Sequence, residues 1–343
     1  MQNYKVAVVG CGRIFYVHAV SIKRTPGVTL VAVCDVKEDR AVKNAEEFSC
    51  KAYTDYKEMI EKEKPDVVHI CLPHYLHAPV AIYCLERGVH VLTEKPMAIK
   101  LEDARAMIDT AKKHNTRLDC IFQNRFNPGV ILIKEQLESG ALGEIKSAKC
   151  SLYWRRTDEY YQTSDWKGTW DKEGGGVVID QAIHTLDLMR YFMNSEIDYI
   201  DAHWSRRGHT VIEVEDCAEG AIMFKNGVIT SFHVMNYYAY DSAIQVDVAC
   251  TEARARLVND SATIKFKDGR ELIANRNPKE TFNYGANAQS YWGVSHEKQI
   301  LDFYETLRSG ARPYVEVEEA YKTQEMVCAI YQSGREGKRI YLK

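Results

Sequence analysis

Long apolar runs, closely spaced cysteine pairs and an excess of basic charge are all missing from this 343-residue sequence. The first apolar run, Tyr4 to Val9, starts too early for a charged leader to precede it and is too short for a signal core. No later stretch approaches the roughly 20 apolar residues of a bilayer-spanning helix, so no membrane partner is expected. A formal net charge of −3 and the lack of a Lys/Arg tract give no pull toward a phosphodiester backbone, so nucleic acid is excluded as a partner. Cys11, Cys34, Cys50, Cys71, Cys84, Cys120, Cys150, Cys217, Cys250 and Cys328 form no CxxC and no disulfide-framework spacing. They read as reduced thiols of a cytoplasmic protein. Internal repeats and low-complexity linkers are also absent.

What is present exceeds one hydrophobic core, and two domains are expected, 1–122 and 123–343, with the C-terminal helix free to pack back on the first. In the first, short apolar runs (Lys5 to Val9, Leu30 to Cys34, Val67 to Cys71, His90 to Thr93, Arg117 to Ile121) alternate with amphipathic stretches. That alternation is the α/β pattern of a Rossmann-type, doubly wound parallel sheet. Beyond residue 123 the texture changes to period-two runs with turns at Lys225-Asn226-Gly227 and Lys267-Asp268-Gly269. Helices interrupt at Val130 to Ser139 and Val177 to Met193, and the chain ends in His296 to Ser309, Val317 to Glu336 and the strand-like Arg339 to Leu342. The second domain is therefore expected to be α+β, with a large open, mostly antiparallel sheet.

Gly10-Cys11-Gly12 follows the first strand and opens the first helix, which aims backbone N–H groups at a pyrophosphate. Asp35 closes the second strand, where a carboxylate accepts from a ribose 2′-hydroxyl and repels a 2′-phosphate. NAD is the expected cofactor rather than NADP, with Lys37 and Arg40 close enough to temper the preference. Phe15 stands where the fingerprint has its third glycine, so either the helix rides further out or the ring turns away from the sheet.

Two further motifs are more specific: Thr93-Glu94-Lys95-Pro96 after the fourth strand, and Gly174-Gly175-Gly176 followed by Asp180, His184 and Asp187. With Pro73 and His77 after the third strand, Gln123 to Phe126, and the His296 to Phe303 helix, the chain resembles the family of glucose-fructose oxidoreductase and inositol dehydrogenase (Gfo/Idh/MocA) along nearly its whole length. The resemblance implies that Lys95 and His184 flank the reacting carbon and that Asp180 orients the substrate. It implies a cofactor site lined by Gly10, Gly12, Arg13, Ile14, Asp35, Leu72, Pro73, His77, Glu94, Lys95 and Gln123, and a rigid turn at Pro96 of the kind that admits a cis bond. It also implies that the open sheet carries the oligomer contact, giving a homo-oligomer, dimer or tetramer.

The chemistry is consistent with that likeness. Oxidising a secondary alcohol needs a base for the hydroxyl proton while hydride leaves carbon; His184 suits the first role and the Lys95 ammonium suits the developing alkoxide. Spacing of i, i+4 puts Asp180 and His184 on one helix face. The three glycines would leave room for cofactor and substrate at a helix N-terminus of positive potential. Asp187 is either a partner of His184 or a surface pair of Arg190. A metal held by Asp180, His184 and Asp187 lacks a second His or Cys cluster, so no metal is expected.

Trp154, Arg155, Arg156, Tyr160, Tyr161, Trp166 and Lys167 crowd aromatics and cations before this helix. They suit a sugar-like substrate with an anionic group, contacted by Arg125, Trp154, Arg156, Trp166, Lys167 and Asp180; the alternative is core or interface packing. Two other functions share the pattern: glycoside cleavage through a transient keto-sugar, and a non-catalytic dinucleotide-binding regulator that would not need Lys95 and His184.

Overall fold

The computed structural model describes residues 3–280 and 295–342. The chain divides into two compact units, Met1–Gln123 with Lys279–Tyr321, and Asn124–Pro278 with Lys322–Lys343. The first runs β1 (Tyr4–Val9), α1 (Phe15–Arg24), β2 (Val28–Cys34), α2 (Glu38–Phe48), β3 (Lys51–Tyr53), α3 (Tyr56–Glu63), β4 (Val67–Ile70), α4 (His77–Leu85), β5 (His90–Thr93), α5 (Leu101–Lys113) and β6 (Leu118–Cys120). The second runs α6 (Pro128–Glu138), β7 (Ile145–Tyr153), α7 (Asp158–Gln162), α8 (Val177–Asp180), α9 (Ile183–Met193), β8 (Ile197–Ser205), β9 (Cys217–Phe224), β10 (Ile229–Met235), β11 (Gln245–Cys250), β12 (Ala253–Val258), β13 (Ser261–Phe266) and β14 (Glu271–Ala274). The chain closes with α10 (Ser295–Ser309), α11 (Val317–Glu336) and β15 (Ile340–Tyr341).

In the first unit six parallel strands take the order β3-β2-β1-β4-β5-β6, a doubly wound sheet. Sequence periodicity misses β3, a three-residue edge strand that carries no buried residue to mark it. Because the strands are parallel, the residues that follow them, Gly10, Asp35, Cys71, Glu94 and Ile121, all emerge along one edge of the sheet. Ile300, Phe303 and Tyr304 of α10 enter the core made by Val6, Val8, Val33, Phe15 and Ile22. That buried face explains why the segment Lys279–Tyr321 groups with the first unit.

In the second unit nine strands take the order β14-β13-β12-β11-β7-β10-β9-β8-β15. Only β7 and β10 pair in parallel; the other pairs are antiparallel, as expected. Strands β13 and β14 flank the predicted Lys267-Asp268-Gly269 turn, and the neighbouring β12 points Ala253, Ala255 and Leu257 inward and Arg254 and Arg256 outward. The expected helix Val177 to Met193 is two helices, α8 and α9, interrupted at Gln181–Ala182. Among the described residues no helix is long and apolar enough to cross a membrane.

Phe15 resolves one open point. Its fully buried ring meets Phe48 of α2 and Tyr16 edge-on, each at 5.5 Å, so it fills the space beside α1. Restoring the fingerprint glycine by Phe15→Gly should therefore destabilise the fold, by about 3–5 kcal/mol or more for the lost ring, read by urea unfolding. Unchanged stability would show that the ring contributes nothing to this core.

Candidate active site

At the edge of the parallel sheet the glycine turn is fixed by its neighbours. Gly10 has φ +101°, and a Cβ there would lie 2.2 Å from the Cys71 carbonyl oxygen, so only glycine lets the ends of β1 and β4 close up. Gly12 is different: a Cβ would meet nothing within 4 Å. The fold itself gives no reason for glycine there, and the open space over the turn fits a group that must approach the backbone. The Asp35 carboxylate accepts from Cys11 N–H and Lys37 N–H, both at 2.9 Å, which ties the second strand to the turn and holds the acid half-buried at its rim. Arg13 is exposed, and Ile14, Leu72 and Pro73 are half-buried around the same edge. His77 clamps the loop, its ring nitrogens 2.7 Å from Pro96 O and 2.8 Å from Leu72 O. The Gln123 side-chain oxygen is buried with no protein partner among the described residues. These features fit a dinucleotide on the first unit, held by the turn, Asp35 and Gln123.

β5 delivers Glu94 and Lys95, and the Lys95–Pro96 bond is cis. Lys95 is half-buried, whereas Glu94 is buried. Glu94 Oε1 lies 2.9 Å from His18 Nε2 and 3.5 Å from His296 Nε2, and Oε2 accepts Lys95 N–H at 3.2 Å. Burial opposes its charge, yet the two histidines hold the carboxyl well below the usual range.

In the second unit Asp180 ends α8 and His184 sits in the first turn of α9, both half-buried. Asp180 Oδ2 accepts from Gln181 Nε2 at 2.6 Å, Lys167 Nζ at 2.9 Å and Tyr160 Oη at 3.1 Å. Lys167 also lies 3.4 Å from Glu173 and beside the Trp166 and Tyr160 rings, at 4.4 and 4.8 Å from their centroids. Burial pushes Glu173 up to about 8 against the pull of Lys167. Arg156 pairs with Asp241 at 3.2 Å and lies over the Trp154 ring at 4.9 Å.

Two of the three glycines, Gly175 and Gly176, lie against protein. A Cβ at Gly175 would lie 2.0 Å from Tyr331 Oη, and one at Gly176 only 1.9 Å from Glu215 O. On the Cβ side of these two glycines the room is taken by protein. The Glu215 carboxylate accepts Gly176 N–H at 2.8 Å, Val178 N–H at 3.0 Å and Tyr331 O–H at 2.8 Å, while Ile179 N–H donates to Tyr331 Oη at 3.2 Å. The donors of α8 are occupied by Glu215, so they are not left for a ligand at this helix start. Sequence reading missed Glu215 and Tyr331, since 39 residues separate Glu215 from Gly176 and no local pattern links them.

Arg125 and Asp187 also need correction. Arg125, expected to touch substrate, is 1% exposed and grips Asp187 bidentately at 2.9 and 2.7 Å. Asp187 is buried, takes Thr323 O–H at 2.6 Å and has Arg190 only at 3.8 Å, so its main partner is neither of the two expected. Burial works against its charge, and Arg125 holds it below the usual range.

A glycine turn built for close approach, with an acid at its rim, fits a dinucleotide-binding protein, and known proteins make the class specific. The family profile described as "Oxidoreductase family, NAD-binding Rossmann fold" matches residues 4–122, and "Oxidoreductase family, C-terminal alpha/beta domain" matches 134–342. The chain belongs to this family, Gfo/Idh/MocA, and is an NAD-dependent enzyme. Among its relatives, D-glucoside 3-dehydrogenase of Escherichia coli K12 is 30% identical over 98% of this chain and 97% of that protein. Myo-inositol 2-dehydrogenase of Thermotoga maritima is 29% identical over 71% of this chain and 72% of that protein. The WlbA dehydrogenase of Chromobacterium violaceum, solved with NADH and UDP-GlcNAcA, is 26% identical with TM-score 0.87, covering 100% of this chain and 97% of that one.

Glu215 gives this site a pH signature. Burial lifts its pKa from 4.5 to about 7, so the folded state holds the proton more tightly than the unfolded state. Its contribution to stability is then full below about 4.5 and lost as pH rises through about 7. Glu215→Gln mimics the protonated acid and should gain on the parent between about pH 5 and pH 8, by on the order of 2–3 kcal/mol in urea unfolding. A stability difference that stays constant across that range would contradict the assignment.

Proposed function

We propose that the protein oxidises a secondary hydroxyl of a neutral sugar, glycoside or cyclitol, and that Lys95, Asp180 and His184 carry the reaction. NAD, when bound, supplies a two-electron acceptor for the hydride that leaves carbon. His184 takes the hydroxyl proton, so that loss of hydride and proton leaves a ketone, and the Lys95 ammonium stabilises negative charge on that oxygen. Asp180 accepts hydrogen bonds from substrate hydroxyls and fixes the ring.

The observation that carries the neutral substrate is the pairing of Lys167 with Asp180 at 2.9 Å. A polyol can donate to the carboxylate and accept from the ammonium, which suits both halves of the pair. An anionic group would have to displace a carboxylate from its cation, and Arg156 is likewise engaged by Asp241. This departs from the anionic substrate expected of Arg155, Arg156 and Lys167. Likeness to the glucoside and inositol dehydrogenases supports the neutral class. The exposed sheet face carrying Ser147, Lys149, Ile229, Ser231 and Arg254 supports self-association into a homo-oligomer, and ten unbridged cysteines suit a cytoplasmic setting.

NADH formation followed at 340 nm tests the substrate class. Neutral glucosides and inositols should exceed matched uronates in kcat/KM by about tenfold or more, the scale of one charge-assisted hydrogen bond. A preference for uronates would return the anionic reading.

Replacing either proposed catalytic group should separate chemistry from binding. Lys95→Ala and His184→Ala should each lower kcat by about 100-fold or more while NAD still binds in a fluorescence titration. Near-normal turnover in either variant would remove that residue from the mechanism.

A further inference from the structure

The core of the first unit holds a line of polar side chains that the reaction as written does not use. His18, His69 and Tyr304 are each 0% exposed. They connect end to end: His18 Nε2 to Glu94 Oε1 at 2.9 Å, His18 Nδ1 to His69 Nδ1 at 2.9 Å, and His69 Nε2 to Tyr304 Oη at 2.8 Å. They come from α1, β4 and α10, so no local sequence pattern joins them.

The chemistry of the two ends fixes the direction of the protons between them. An ionised Glu94 only accepts, so His18 carries its proton on Nε2. With one proton on His18, Nδ1 accepts, His69 donates from Nδ1, and the remaining His69 Nε2 accepts the Tyr304 hydroxyl. Three contacts use three protons and leave no clash. The opposite direction starts from a protonated Glu94 or a doubly protonated His18 and ends with the Tyr304 hydroxyl hydrogen pointing away from His69. Tyr304 Oη has no other hydrogen-bond partner among the described residues, and an unsatisfied buried O–H is costly. Burial independently keeps His69 neutral by lowering its pKa, and raises that of Tyr304 so that the phenol keeps its proton. The other titratable groups around Glu94 are His296 of α10, Cys71 after β4 and His77 of α4.

We infer that His18, His69 and Tyr304 are positioning residues: a one-way hydrogen-bond chain through the core of the first unit orients the Glu94 carboxylate, which in turn fixes the backbone of Lys95. Glu94 Oε1 faces the chain and Oε2 receives Lys95 N–H at 3.2 Å, so rotation of the carboxylate would break both contacts together. The inference rests on the reading of Lys95 as a catalytic residue.

Its test begins with the full-length protein labelled with ¹⁵N-histidine at neutral pH. The expected long-range proton–nitrogen pattern is the Nε2–H tautomer for His18 and the Nδ1–H tautomer for His69; an imidazolium or the opposite tautomer at either ring overturns the chain. His18→Leu should then lower kcat by about tenfold, the cost of a modest misplacement, with the dissociation constant for NAD held within about twofold. His18→Gln, which still offers Glu94 an N–H, should recover most of that loss. Unchanged kcat in His18→Leu, a parallel collapse of NAD affinity, or no recovery in His18→Gln would each overturn the positioning role. Should His18→Leu fail to fold, the tautomers of the parent protein still decide. Normal turnover in Lys95→Ala, by contrast, would remove the reading of Lys95 while leaving the tautomer result in place.

Discussion

The Glu215 carboxylate accepts the Gly176 and Val178 N–H groups at the start of α8, and much of the second unit's site depends on that contact. A helix of four residues, Val177–Asp180, cannot satisfy its own first donors, and buried N–H groups left unpaired cost free energy. Glu215 meets this need from the loop before β9, and Tyr331 from α11 completes it. The glycines at 175 and 176 follow from the same constraint, because any side chain there would occupy the space of Tyr331 or the Glu215 backbone. Asp180 and the start of α9 are therefore placed by a carboxylate distant in sequence. The first unit solves the same problem with Asp35, whose carboxylate accepts Cys11 N–H in its own glycine turn.

Charge compensation divides the ionisable side chains of the second unit into two kinds. Arg125 and Asp187 are both almost fully buried and bonded bidentately, with Thr323 and Arg190 at the periphery. Removing one partner from such a pair strands a buried charge, so its role is to hold α9 against its surroundings. Lys167 and Asp180 are paired as well, but each keeps some exposure, at 13% and 11% of the side chain. Hydroxyl groups can exchange into a pair of that kind without leaving either charge alone. The difference in burial, rather than residue type, separates an ion pair closed to other groups from one that stays open to them.

Several features were legible in the sequence because they are local. The period-two and helical patterns located β1, β2, β4, β5 and β6 and the helices between them, and Gly10, Gly12 and Asp35 marked the dinucleotide turn. The Lys225-Asn226-Gly227 turn does join β9 to β10, whose register is antiparallel as such a turn requires. The three-residue β3 and the break between α8 and α9 escaped notice, the first for lack of an apolar run and the second because α8 and α9 together keep an apolar helical pattern.

By itself the sequence determined the class of each unit and the glycine turn with its acid, and it nominated Lys95, Asp180 and His184 as candidates, since each is carried by neighbours along the chain. Tertiary structure alone decided what surrounds them. It set Glu215 and Tyr331 against the glycine run, Arg125 against Asp187, Lys167 against Asp180, and His18, His69 and Tyr304 in line with Glu94. Each of these contacts joins residues 13 to 235 positions apart. The physical reason is that a buried polar group must find a partner wherever packing brings one, and packing is set by the whole fold rather than by spacing along the chain.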